Sequence, residues 1–128
     1  MATFDDVRRI ALALPGAEAG TTYGYDAFKV KGKTFVWDRP LSKRDTEALG
    51  ERAPTGPVLA AVVEHEVAKR ALLESETEWA FTSPHFDGHA SVLVRLDVVP
   101  LADLEELVTE AWLCQAPERL VEDLRDGG

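Results

Sequence analysis

The chain is short of the residues that build covalent and metal-held scaffolds. Its 128 residues include one cysteine, Cys114, one methionine and three histidines. A lone cysteine cannot close an internal disulfide, which excludes a disulfide-framed domain. No apolar run approaches the roughly 18 residues needed to span a bilayer, so no membrane partner is expected. Repeats and low-complexity tracts are also missing. The start, Met1 to Asp6, lacks the basic residues and apolar run of a secretory signal, and this points to a reducing cytoplasm. What is present is ordinary globular composition, 45% hydrophobic and 29% charged, and the expectation is a single domain over residues 1–128.

Positive charge is in the minority. There are 14 basic and 23 acidic residues, for a net charge of −9 and a pI near 4.7. Such a field repels polyanions at long range. The distribution is uneven, however. Residues 29–44 hold Lys29, Lys31, Lys33, Arg39, Lys43 and Arg44 against the single acid Asp38, for +5, so with −9 overall the rest of the chain sums to −14.

Thr3 is placed to cap a helix in which Phe4, Val7, Ile10, Ala11 and Leu14 recur at helical spacing, with Asp5 and Asp6 in the first turn. Pro15-Gly16 ends it, and Ala17 to Gly24, without periodicity, reads as a loop. Phe28 and Val30 alternate with lysines, Lys31-Gly32 is a turn pair, and Thr34-Phe35-Val36-Trp37 is β-branched and aromatic. Together they predict a hairpin with a basic tip. Ser42, with Asp45 three residues on, resembles a capping box for a short helix to Leu49-Gly50. Val58 to Val63 reads as a buried strand, Glu64 to Glu74 as an amphipathic helix, and Trp79-Ala-Phe81 and Ser91 to Leu96 as strands.

Pro100 opens a helix whose inner face is Leu101, Leu104, Leu107, Val108 and Ala111, with Asp103, Glu105, Glu106 and Glu110 on a solvated outer face. Beyond Pro117 a short last helix carries Leu120, Val121 and Leu124 before a loose tail at Asp126-Gly-Gly. The expected class is α+β, a mainly antiparallel sheet with the N-terminal helix and two C-terminal helices on one face.

Leu14-Pro15-Gly16, Phe28-Lys-Val, Gly32-Lys33 leading into Phe35, the run from Phe81 through His85 and His89 into Val92-Leu-Val-Arg-Leu96, and Leu104 to Trp112 form a familiar succession. The chain resembles the MmcQ/YjbR-like family over nearly its whole length. That resemblance implies a fold similar to CyaY and frataxin, described as a double wing and labelled DNA-binding.

Enzyme motifs fail on spacing. Gly32-Lys33-Thr34 is not a phosphate loop, because the first glycine falls on Ala27 and strand patterns flank the motif. His65-Glu66 does not begin a zinc helix, because the second histidine position is Lys69. His85, Asp87 and His89 share one side of an extended segment but lack an obvious fourth ligand, and they read as a turn. Cys114 reads as a packing residue and Ser83 has no nucleophile context. No metal, cofactor or catalytic group is expected. The sequence instead supports a nonenzymatic DNA-binding module. Its phosphate contacts are Lys29, Lys31, Lys33, Arg39, Lys43 and Arg44, and its binding is weak and salt-sensitive. The alternative is a protein- or small-ligand-binding domain with a cleft near Tyr23, Tyr25, Trp79, His85 and His89.

Overall fold

The computed structural model describes residues 2–53, 56–74, 78–82 and 90–127. Helix α1 (Phe4–Leu12) begins where the Thr3 hydroxyl accepts the Asp6 N–H and the Asp6 carboxylate accepts the Thr3 N–H. This reciprocal cap satisfies backbone donors that the first turn leaves unpaired. The Thr3 N–H also holds the Asp6 carboxyl below its ordinary pKa. Val7, Ile10 and Ala11 turn inward.

Next come β1 (Ala17–Thr22), β2 (Tyr25–Val30) and β3 (Lys33–Asp38), joined by the two-residue turns Tyr23-Gly24 and Lys31-Gly32. All four turn residues have positive φ, between 50° and 83°. This is the turn geometry whose twist matches paired strands, and glycine in its second position adopts it without cost. The expected hairpin across residues 28–37 is therefore present. The expected loop at 17–24 is not. β1 pairs along its whole length, from Ala17 against Val30 to Thr22 against Tyr25. Its small, half-exposed side chains Ala-Glu-Ala-Gly-Thr-Thr carry no apolar alternation, and backbone pairing to β2 along its whole length is what mainly orders it. A register shift between Phe28 and Lys29 bends β2 against β3. Thr22 and Thr34 share a hydrogen bond from β1 to β3, a contact that requires strong coiling of this edge.

Helix α2 (Lys43–Leu49) carries the expected Ser42–Asp45 capping box and runs into a short 3-10 turn, Gly50–Arg52. Strand β4 (Val58–Val62), helix α3 (Glu66–Glu74), β5 (Ala80–Phe81), β6 (Ser91–Arg95), α4 (Leu101–Gln115) and α5 (Glu118–Gly127) complete the order. The last helix continues through Asp126 and Gly127, where a loose tail was expected. Pro100 sits just before α4 as its cap residue.

The six strands form one antiparallel sheet, in the order β1-β2-β3-β4-β6-β5. α1, α4 and α5 cover one face, burying Phe28, Val30, Val36, Leu59, Ala61, Val92 and Val94 with Leu104, Val108 and Trp112. The fold is α+β, as the order of elements implied. The opposite face is also apolar, with Ala27, Trp37, Val58, Ala60 and Leu93 buried and Leu41 packed against them. Alternation along β4 accounts for both: Leu59 and Ala61 face the helices, Val58 and Ala60 face away.

Candidate functional site

The basic segment does not fold into one patch. Lys31 and Lys33 stand exposed at the β2–β3 tip, and Lys43 and Arg44 are exposed on α2. Strand β3 separates the two groups. The six residue steps from Lys33 to Arg39 span about 20 Å at strand rise. Lys29 is half-buried opposite Glu18 on β1, and its stem lies 3.5 Å from where a Cβ on Gly20 would be. Arg39 is held in an ion pair with buried Asp45, 3.3 Å away. Arg39 was expected among the phosphate contacts; at 14% side-chain exposure and beside a carboxylate, it presents less of its charge to solvent than Lys31, Lys33, Lys43 or Arg44. At the same end of β3, Asp38 is raised above the ordinary carboxylate range by burial and by nearby Asp26. Acids therefore interleave with the cations.

The expected aromatic cleft is also divided. Tyr23, 85% exposed, and Tyr25 lie at the β1–β2 turn, whereas Trp79 is buried beside β5. β2 and β5 are four strand spacings apart in the sheet order, about 19 Å, so these residues cannot line one cleft. Sequence proximity gave no warning, because β5 pairs at the far edge. His85 and His89, with Ser83 and Asp87, lie outside the described residues. His65 has a local role: its Nδ1 accepts the Ala68 N–H at 3.1 Å at the start of α3.

Trp79 instead joins a groove that the sequence did not reveal. About 1080 Å³ opens between the end of β4, α3, α4 and α5. Its floor is aliphatic, with Val62, Val63, Leu72, Leu107, Leu113 and Val121 lining it. Its rim is acidic, with Asp103, Glu106 and Glu110 along α4 and Glu64 just before α3. Arg125 from α5 is the one basic lining residue among those described. On the sequence, the α4 acids are indistinguishable from a solvated helix face. Only the packing of α3 and α5 beside α4 makes them a rim.

Cys114, read from the sequence as a packing residue, is instead exposed on the groove lining, with its thiol partly covered and within reach of the charges of Glu64 and Glu110. Burial pushes its thiol above the ordinary value, and the charges of Glu64 and Glu110 push it further, since each disfavours a thiolate. It is accordingly a poor nucleophile at neutral pH. Alkylation of Cys114 by iodoacetamide at about pH 8 should be slower than for an unperturbed thiol. Substituting Glu64→Gln together with Glu110→Gln should accelerate it about threefold by removing two repelling charges. An unchanged rate in the double variant would show that these carboxylates do not face the thiol.

Comparison with known proteins places the fold. The YjbR family profile matches residues 12–114. The chain belongs to the YjbR family. Two relatives are "Uncharacterized protein Rv2570" of Mycobacterium tuberculosis (strain H37Rv) and "Uncharacterized protein Mb2600" of Mycobacterium bovis. Each is 46% identical over 125 residues, covering 95% of this chain and 95% of the relative. The crystal structure of Deinococcus radiodurans protein DR2400, with a DUF419 domain, superposes with a TM-score of 0.64 at 22% identity, over 88% of this chain and 78% of that one. At that identity the likeness speaks for the fold. The YjbR segment takes in the sheet and the β4, α3 and α4 walls of the groove, ending at Cys114. The α5 wall, with Val121 and Arg125, follows it. Among the described residues of this YjbR protein, no helix is long and apolar enough to cross a membrane, and no three His, Cys, Asp or Glu side chains are grouped to hold a metal.

Proposed function

We propose that this YjbR-family protein is a nonenzymatic cytoplasmic binding module whose recognition site is the groove between α3, α4 and α5. The supporting observation is the groove itself. About 1080 Å³ with an aliphatic floor and a few charged groups at its edge has the lining of a ligand site and a volume just above the usual range of roughly 300–1,000 Å³. The raised Cys114 thiol fits recognition better than covalent catalysis.

Cys114 serves as a built-in reporter for the test. Alkylation is followed in the presence of a panel of small neutral and cationic aromatic probes, including indole and benzylamine. Groove binding predicts that probes slow modification in the folded protein, with the effect lost in Leu113→Glu, which places a charge at an exposed position of the lining. A panel that leaves the rate unchanged at millimolar concentration would overturn the reading.

The nucleic-acid reading keeps one supporting feature, the exposed pair Lys31 and Lys33 at the hairpin tip. Two phosphate contacts give a slope of log affinity against log salt of about −2, whereas all six cations of residues 29–44 acting together would give about −5. The steeper slope would restore the whole basic segment as the site. A slope near −2 that vanishes in Lys31→Gln/Lys33→Gln would assign any DNA binding to the tip alone.

A further inference from the structure

We propose that the occupant of the groove is a basic amphipathic helix presented by a partner protein. The inference rests on the groove being the binding site, and it specifies what that site takes. The α4 rim carries Asp103, Glu106 and Glu110, an i, i+3, i+7 series that lines one side of the helix over about 10 Å. Glu64 stands on the other rim, before α3. Between the rims the floor is aliphatic, through Leu72, Leu107 and Leu113. A ligand that complements this pattern has an apolar stripe with cations flanking it, and its charges repeat at the same three- and four-residue period.

The walls exclude the other common modes of peptide recognition. Strand addition needs an open sheet edge, but the strand that reaches this groove, β4, is paired on both sides, to β3 and β6, and helices form the other walls. Polyproline recognition needs a groove lined with aromatics, and Trp79 is the one aromatic residue lining this groove among those described. Of these three modes, a helix laid in a groove, anchored by residues at i, i+3 or i+4, and i+7, is the one whose spacing the α4 rim matches. Glu64 and Glu110 both act on the Cys114 thiol, adding to the larger effect of its burial, which fits acids facing the groove from both sides.

The test uses the full chain and a labelled synthetic peptide of leucine, alanine and lysine, with leucines on one helical face and lysines on its flanks. Two further peptides serve as controls: one with the same composition but scrambled to remove the stripe, and one with glutamate replacing lysine. Fluorescence anisotropy measures affinity and Cys114 protection locates the site. The amphipathic basic peptide should bind and shield Cys114. Glu106→Gln/Glu110→Gln should weaken binding about fivefold, the scale of two solvent-exposed ion pairs. Leu113→Ser should weaken it about tenfold through lost apolar contact. Added salt should weaken it further. Equal binding by the scrambled peptide would overturn the helical claim, and equal binding by the glutamate peptide would overturn the charge claim. Aromatic probes that shield Cys114 while the basic peptide does not bind would overturn the partner and leave the groove standing. If neither shields Cys114, both fall.

Discussion

Replacing Trp112 by alanine should lower the stability of the protein by about 3–5 kcal/mol, a large share of the roughly 5–15 kcal/mol that holds a domain folded. Trp112 is fully buried among α1, the sheet and α4, and its indole N–H donates to the Pro15 carbonyl at 3.0 Å. That bond ties the last turn of α4 to the turn between α1 and β1, across 97 residues of sequence. Two losses therefore coincide, apolar volume and the partner of a part-buried carbonyl. Trp112→Phe separates them. It keeps most of the ring volume and removes the donor, and should cost about 1–2 kcal/mol. Urea unfolding followed by circular dichroism measures both. A loss below about 1 kcal/mol for the alanine variant would mean that α4 is not anchored at this residue.

The second large effect concerns Asp45, buried at 3% exposure. Its Oδ2 accepts from the Ser42 N–H at 3.1 Å, the Ser42 hydroxyl at 2.9 Å and the Arg39 guanidinium at 3.3 Å. One carboxylate thus caps α2 and neutralises a cation held largely out of water. Asp45→Ala removes the carboxylate half of the capping box and the negative charge beside the Arg39 guanidinium, at an expected cost of about 3 kcal/mol. Arg39→Met combined with Asp45→Leu should cost less than Asp45→Ala alone, because no uncompensated charge then remains. A double variant no more stable than the single one would show that the cap, not the charge pair, dominates.

The elements legible in the sequence were those written in side-chain pattern. Phe28 and Val30 alternate against lysines, and Lys31-Gly32 marks the turn. Ser42 and Asp45 announce the cap. The stripe Leu104, Leu107, Val108 and Ala111 announces α4, and all of these elements are present. Strand β1 was illegible because its order comes from backbone pairing to β2, not from its own small side chains. Where the site lies was harder to read, because sequence density is not spatial density. Six cations within 16 residues divide between the two ends of β3, with Arg39 held by Asp45, and Tyr23 and Trp79 go to opposite sides of the sheet. Conversely, the groove gathers Val62, Leu72, Glu110 and Val121 from four distant segments. No local motif joins them, and each alone reads as ordinary core or solvated surface.

The central claim is that recognition belongs to the groove and not to the basic hairpin. Amide chemical-shift mapping on the isotope-labelled protein tests it most directly, with the basic amphipathic peptide and a short DNA duplex titrated separately at low and moderate salt. The peptide should shift Ala68, Leu72, Glu110, Leu113, Cys114 and Val121, whose side chains line the groove. The duplex is predicted to shift at most Lys31, Gly32 and Lys33, with those shifts lost at moderate salt. Strong, saturable shifts by the duplex across Lys29 to Arg44, with no response to the peptide around Cys114, would contradict it.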